Sequence, residues 1–284
     1  MTNAPFTVPQ TWATQSIHDS LTSNNPTLDV TANPGYHVQT KAAILAGAQI
    51  VRWHDFNVDC LGQAYGDILD EYPVPTVIGH LGPHTVNGLN RFKQVVIDNL
   101  FPSLAHPIQT GATVLGTRLA AGLPKVLFKK DTVVGWPRRS GLSLVSDDGT
   151  HFLVGCVLMG SQWSSSRLER SHFLGEAATL PLHRVAAYCI ATDTRYGFVL
   201  TPGEVVVVRV SGTAYDYDQP GRIEWQAVPW GASGPDTLTV NLSLWFISMM
   251  SLNPTHHGLC PPPRDGTESQ RLVEIPRSGG LDRL

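Results

Sequence analysis

The chain has 284 residues, of which 42% are hydrophobic and 15% are charged, and its formal net charge is −3. This composition is typical of a globular protein that is long enough to bury one large core or two modest ones. The weak negative charge argues against nucleic acid as the partner, because nucleic-acid-binding proteins present a concentrated basic face to the phosphates.

The sequence shows neither a membrane span nor a secretion signal. It has no apolar run of the roughly eighteen residues that a spanning helix needs, and residues 1–5 lack a basic start and an apolar stretch. We therefore expect a cytoplasmic protein without a membrane partner. The four cysteines are widely spaced, which favours free thiols over disulfides; they are Cys60, Cys156, Cys189 and Cys260.

The first 110 residues divide into an arm and a helical region. Proline, asparagine and threonine are frequent in residues 1–36, which predicts an N-terminal arm. In residues 37–110 we expect helices that pack on the rest of the protein. Apolar side chains recur at helical spacing over 37–53, and further helices are predicted over 61–72 and 88–104.

From residue 112 onwards the pattern changes to short runs rich in β-branched residues, separated by glycine and proline. Residues 113–117, 126–128, 132–134 and 151–154 are predicted strands of a meander. The turn Asp147-Asp148-Gly149 is well suited to a hairpin, because aspartate and glycine tolerate positive φ.

A helix is predicted over 180–191, followed by strands over 197–200 and 204–210. The order strand, helix, strand is typical of a mixed sheet with a crossover connection. The predicted fold class is therefore α+β, with a mixed sheet flanked by helices in the core at 111–252. Residues 253–284, rich in proline and glycine, are a predicted tail.

The run from Gly155 to Ser165 is Gly-Cys-Val-Leu-Met-Gly-Ser-Gln-Trp-Ser-Ser. It resembles a segment of a fungal protein family placed in the PD-(D/E)XK nuclease-like superfamily, whose matching run is Gly-Asp-Thr-Lys, four variable residues and Trp-Ser-Ser. On this resemblance Cys156 replaces the metal-binding carboxylate and Leu158 replaces the catalytic lysine. Asp131 corresponds to the first acidic ligand. One carboxylate is too few for a hard cation such as Mg²⁺, so we expect a degenerate nuclease-like core without metal, cofactor or nuclease activity.

Two further segments carry the same resemblance. Residues 181–210 are similar to the family's helix and its next two strands, and residues 228–245 are similar to its C-terminal helix, so that the likeness covers roughly residues 120–252. The superfamily's Gln-x-x-x-Tyr motif corresponds here to Arg184-x-x-x-Tyr188.

The resemblance places these residues around a cleft whose charged groups have become apolar. Ligand pockets have such a composition, with apolar walls and few polar groups. We therefore expect an apolar small molecule as the partner, bound or transformed by a cofactor-independent cyclase, isomerase or lyase of a fungal metabolite. The predicted catalytic residues are Asp131, Arg184 and Tyr188, and the predicted ligand-binding residues are Cys156, Leu158, Trp163 and His183.

Three alternatives stay open. The same residues are also compatible with a filled-in core that has no site. The protein is alternatively a non-catalytic module that binds nucleic acid or another protein, or a divergent metal-dependent nuclease in which Glu169 or Glu176 replaces the lost carboxylate. The sequence gives no indication of the oligomeric state.

Overall fold

The computed structural model describes residues 13–31, 48–76, 82–131, 141–170, 176–212 and 221–259. Within these ranges the chain forms a seven-stranded mixed sheet and two small two-stranded sheets. Helices pack on both faces of the large sheet. The α+β class and the mixed sheet flanked by helices, which the sequence predicts, are confirmed.

The two small sheets join short strands of the N-terminal region. Strand β1 (Thr14–Ser16) pairs antiparallel with β4 (Pro73–Pro75). Strand β2 (Leu28–Val30) pairs in parallel with β5 (His84–Val86). Part of the predicted arm is therefore ordered by pairing with segments that follow it by about fifty residues or more, while residues 1–12 lie outside the described ranges.

Helices α1 (Ile17–Thr22) and α2 (Val58–Glu71) both begin at a side-chain cap. At α2 the Asn57 side chain accepts a hydrogen bond from the backbone N–H of Cys60 at 2.9 Å. Such a cap satisfies an N–H that has no partner within the helix. The helix predicted over 61–72 is thus confirmed.

Helix α3 (Leu89–Val95) continues through a π-helical turn, Val96–Leu100, into α4 (Phe101–Arg118). The strand predicted over 113–117 is wrong, because these residues form the last turns of α4. The hydroxyl of Thr113 donates to the carbonyl of Gln109 at 2.9 Å, and the hydroxyl of Thr117 donates to the carbonyl of Thr113 at 3.0 Å. Burial of the apolar residues between them offsets the weak helix propensity of β-branched side chains.

The large sheet has the strand order β3-β11-β10-β9-β8-β7-β6. The strands are β3 (Gln49–Arg52), β6 (Val126–Asp131), β7 (Gly141–Ser146), β8 (His151–Val157), β9 (Tyr196–Thr201), β10 (Glu204–Ser211) and β11 (Arg222–Pro229). Strands β6, β7 and β8 form a meander, and β8 lies parallel to β9. The sequence predicted β6 and β8 but not β7, and the strand predicted over 132–134 lies outside the described residues. Helix α6 (Glu176–Thr192) is the crossover between these two parallel strands and follows the short helix α5 (Ser166–Arg170).

Strand β3 corrects the helix predicted over 37–53. Residues 49–52 extend the sheet in parallel with β11, and the N–H of Trp53 donates to the carbonyl of Trp225 at 2.8 Å. Pairing with an open sheet edge here outweighs helical periodicity, which is a weak local preference. Residues 37–47 lie outside the described ranges. A strand from the first 110 residues thus belongs to the same sheet as the core at 111–252.

Two apolar layers cover the sheet. Helix α6 packs on one face, and α7 (Val240–Leu252) packs on the other and is itself covered by α4. Helix α7 is buried on all sides. Two glycines in adjacent strands allow close packing: a Cβ on Gly155 would lie 2.4 Å from the Phe198 ring, and a Cβ on Gly197 would lie 2.3 Å from a methyl of Val185 in α6.

Three of the four cysteines can be placed. Cys60, Cys156 and Cys189 are free thiols, which confirms the prediction for them, and Cys260 lies outside the described residues. In the part of the chain that the structure describes, no helix has the length and apolar character that crossing a membrane requires.

Candidate functional site

Cys156 and Leu158 lie where β8 ends, under helix α6. Side chains two residues apart in a strand point to the same face, and both of these pack into the apolar layer between the sheet and α6. The N–H of Leu158 donates to the carbonyl of Leu200 at 2.9 Å, so pairing with β9 continues one residue beyond β8. Each side chain is 5% exposed.

Four of the seven predicted site residues belong to this one cluster. Trp163 and Tyr188 join Cys156 and Leu158 there. The indole N–H of Trp163 donates to the carbonyl of Ala178 at 2.7 Å, which ties the loop after β8 to the start of α6. The rest of the cluster comes from α6 and the neighbouring strands, including Leu182, Val185, Val199, Val206 and Val208.

The thiol of Cys156 is chemically quiet in this setting. Burial raises the pKa of Cys156 to about 11, and the positive charges of Arg184 and Lys93 oppose this rise only in part. The thiol is therefore protonated at neutral pH, and a protonated thiol is a poor nucleophile and a poor metal ligand. Cys156 contributes apolar surface to the cluster.

The polar groups of the candidate site come from one stretch of α6. Arg184 and Tyr188 are one turn apart and project from similar directions; Tyr188 is buried and Arg184 is partly exposed. His183 is buried, its Nδ1 has no hydrogen-bond partner, and burial lowers its pKa. At neutral pH this segment therefore offers a neutral imidazole, a phenol and a guanidinium beside an apolar layer.

Asp131 is the last residue of β6, and the structure describes its backbone but not its side chain. Asp131 pairs with Gly141, and the neighbouring pair in the next ladder is Leu142 with Gly155. Gly141 therefore lies opposite Cys156, which puts Asp131 and Cys156 in one row across three strands. At about 4.8 Å per strand, their backbones are about 10 Å apart.

Glu169, one of the two carboxylates considered for a divergent nuclease, does not replace the lost ligand. Glu169 forms an ion pair with Arg52 at 3.0 Å. Arg52 belongs to the edge strand β3, and strands β11, β10 and β9 lie between β3 and the strand of Cys156, β8. The side chain of Glu176 is outside the described residues. Among the described residues, no group of three or more histidine, cysteine, aspartate and glutamate side chains converges as a metal site would require.

Glu204 is an important residue that sequence reasoning missed. Its two carboxylate oxygens accept from the backbone N–H and from the hydroxyl of Ser165, each at 2.6 Å. This contact fixes the end of the Trp-Ser-Ser segment to the start of β10. A glutamate that follows a Pro-Gly turn looks like an ordinary surface residue in the sequence, so no local signal indicates the contact.

A second polar group lies on the opposite face of the sheet, and sequence reasoning missed it as well. Nε of Arg209 donates to Glu224 at 2.5 Å, and a terminal nitrogen of Arg222 lies 3.4 Å from the other oxygen of the same carboxylate. The guanidinium of Arg209 stacks 4.5 Å from the centre of the Trp53 ring. The sequence signal for this polar group is a charged residue between apolar neighbours in each of two adjacent strands, Arg209 in β10 and Glu224 in β11.

Aromatic side chains continue this polar group into the core. Trp53 stacks on Tyr196 with ring centres 6.1 Å apart. Burial, with a smaller contribution from Tyr196, raises the pKa of Tyr65. The indole N–H of Trp53 and the hydroxyl of Tyr65 are both buried without a hydrogen-bond partner.

Comparison with known proteins adds no identity to this geometry. No protein-family model matches the chain, and no curated protein or solved structure matches it significantly.

Proposed function

We propose that the protein is a degenerate PD-(D/E)XK nuclease-like scaffold that binds an apolar small molecule beside the α6 cluster and rearranges it without metal or cofactor. The observation that carries the proposal is the composition of the strand end, where Cys156 and Leu158 lie in an apolar layer with Trp163 and Tyr188. The segments that resemble the nuclease-like family fall on consecutive elements of this layer, from β8 through α6 to β10.

Loss of nuclease chemistry follows from the same positions. A thiol with a raised pKa and an isobutyl group provide neither the second carboxylate nor the amine that phosphodiester cleavage needs. The carboxylate of Glu204 is engaged by Ser165. What these side chains provide is apolar surface, and a guest that buries about 200 Å² of such surface gains about 5 kcal/mol.

Three groups of α6 supply the chemistry of the proposed site. The guanidinium of Arg184 stabilises negative charge that develops on a carbonyl or enolate oxygen, and the phenol of Tyr188 donates a hydrogen bond. The neutral imidazole of His183, with an unpaired Nδ1, accepts or donates a proton. Such groups suit cyclisation or isomerisation, because these reactions need a shaped conformer and no redox partner.

A ligand screen tests this proposal. Purified protein is titrated with a library of apolar metabolites, and binding is followed by tryptophan fluorescence, since Trp163 is 1% exposed within the cluster. Each hit is then incubated with protein and examined for an isomer of unchanged mass and altered retention. We expect Arg184→Met to weaken binding or turnover about tenfold.

Arg91→Met is the matched control, because Arg91 is an exposed arginine on α3, away from this cluster. Equal effects of the two substitutions, or a complete absence of hits for the wild-type protein, would contradict the proposal and favour the non-catalytic binding module.

A further inference from the structure

A set of arginines lies at one end of three adjacent strands. Arg195 immediately precedes β9, Arg209 lies near the end of β10 and Arg222 begins β11. The register places Arg209 between Tyr196 and Glu224, and the N–H of Val210 donates to the carbonyl of Arg195. All three arginines therefore occupy the same end of the sheet, within two residue positions along their strands.

The contacts show that these arginines share one neighbourhood. Glu224 lies between Arg209 and Arg222 and contacts both. Arg195 and Arg209 both lie close enough to His256 to lower its pKa, although burial is the larger cause. The guanidinium of Arg195 is 5.9 Å from the ring centre of Tyr196, and that ring is opposite Arg209 in the sheet.

The charges of this set do not balance among the described residues. Three guanidiniums and one carboxylate leave a net charge of 3 − 1 = +2 at neutral pH, and burial together with both arginines keeps His256 neutral. Arg209 is buried and paired with Glu224, whereas Arg195 and Arg222 are partly exposed. The excess positive charge of the set therefore lies on the two arginines that an anion from solvent can reach.

Two donors in the set are also unused. The Nε atoms of Arg195 and Arg222 are buried, and neither has a hydrogen-bond partner. Native proteins rarely leave a buried N–H unpaired, because each unpaired group costs about 1–3 kcal/mol. A guanidinium offers its nitrogens in a planar fork that matches the oxygens of carboxylate or phosphate.

We propose that Arg195, Arg209 and Arg222 form a binding site for a phosphate group, with Glu224 holding Arg209 and Arg222 in place. A phosphate dianion supplies the two negative charges that balance the set and has more than one oxygen to accept from separate guanidiniums. The site lies on the α7 face of the sheet, opposite the α6 cluster, because Arg209 packs on Trp53 and alternates with Val208 and Val210 of that cluster.

Phosphate titration of the full chain tests this site independently of any apolar ligand. The melting temperature and the heat of binding are measured with inorganic phosphate. Sodium chloride and sodium acetate, each at the same ionic strength as the phosphate, are the comparison salts. We expect phosphate to bind and to raise the melting temperature more than either comparison salt. Arg195→Met and Arg222→Met should each weaken phosphate binding about tenfold or more.

Two substitutions separate the site from general charge effects. Arg195→Lys keeps the charge but removes Nε, so it should also weaken phosphate binding, whereas Arg91→Met should leave binding unchanged. Arg195 precedes its strand and is only partly buried, so its variants keep the test valid if Arg222→Met does not fold. Stabilisation by phosphate no greater than by chloride, or undiminished phosphate binding by Arg195→Met, would overturn the proposal.

Discussion

Ser165 is bound to Glu204 through two hydrogen bonds of 2.6 Å, one from its backbone N–H and one from its hydroxyl. The contact joins residues 39 positions apart. It closes the loop that follows β8 against the turn that begins β10. Because Trp163 is two residues before Ser165, the same contact holds the Trp163 indole in the α6 cluster.

The first prediction is that Glu204→Gln lowers the free energy of unfolding by about 1–3 kcal/mol, because hydrogen bonds to a charged acceptor are stronger than bonds to a neutral amide. Urea denaturation followed by tryptophan fluorescence measures this change. Ser164→Ala is the control, since the Ser164 hydroxyl hydrogen-bonds to the nearby Ser166 hydroxyl at 2.8 Å. An equal loss in both variants would contradict a special role for the Ser165–Glu204 contact.

The second prediction concerns the close approach of β8 and β9. A methyl group on Gly155 would lie 2.4 Å from the Phe198 ring, so Gly155→Ala should destabilise the protein by about 1–3 kcal/mol through overpacking. Gly160→Ala should have little effect, because nothing lies within 4 Å of a Cβ at that position. Chemical denaturation of the two variants gives the comparison. A Gly155→Ala protein as stable as the wild type would contradict this account of the packing.

The sequence predicted four of the seven strands of the large sheet and the crossover helix α6, but missed β3, β7 and β11. Strands β6, β8, β9 and β10 were predicted because each contains a run rich in β-branched or aromatic residues. Strand β3 was missed because four residues of strand inside a helical pattern carry almost no local signal, and only pairing with β11 defines them.

The two candidate sites also differ in how far the sequence predicted them. The resemblance indicated Cys156, Leu158, Trp163 and Tyr188, and the structure places these four in one cluster. The arginine set could not be predicted as a group, because its members come together through the register of three strands. Register depends on long-range pairing, which local sequence patterns do not specify.

The third prediction tests the apolar character of the strand end. Cys156→Asp should destabilise the protein by several kcal/mol, because it places a carboxylate in an apolar layer where the charges of Arg184 and Lys93 offset only part of the cost of burial. Cys156→Ala serves as a control that removes the thiol without adding charge, and it should cost less. Melting temperature distinguishes the two variants.

A cleavage assay addresses the nuclease alternative. We expect no Mg²⁺- or Mn²⁺-dependent cleavage of DNA or RNA by the wild-type protein. Cleavage that Asp131→Ala abolishes would contradict the proposed loss of nuclease chemistry and restore the divergent-nuclease interpretation.

The fourth prediction is a pH dependence of stability that arises from His183. Burial lowers the pKa of His183 below its usual value of 6.5, so the unfolded chain takes up a proton at a higher pH than the folded chain does. As the pH falls through about 6.5, protonation therefore favours the unfolded state, and stability decreases until the folded-state pKa is passed. The free energy of unfolding should thus be lower at pH 5.5 than at pH 7.5.

His183→Gln should reduce this difference between the two pH values, because it removes the group that titrates. His106→Gln, at an exposed position of α4, should leave the difference unchanged. His256, whose pKa burial also lowers, should account for part of what remains in His183→Gln. An unaltered pH profile in His183→Gln would show that its imidazole is not the source.

The last prediction decides whether the α6 cluster is a ligand site or only core. Tyr188 and Arg184 lie one turn apart on α6, with Tyr188 6% exposed and Arg184 partly exposed. If this face binds a ligand, Tyr188→Phe should weaken ligand binding or turnover about tenfold, because it removes one hydrogen-bond donor and keeps the ring. Its melting temperature should stay close to that of the wild type.

If the face is only core, the buried hydroxyl stabilises the fold, so Tyr188→Phe should lower the melting temperature without a separate functional defect. Tyr72→Phe, at a half-buried position beyond α2, is the control for a hydroxyl lost elsewhere. A lowered melting temperature together with no ligand for the wild type would reject the enzyme proposal in favour of the binding module.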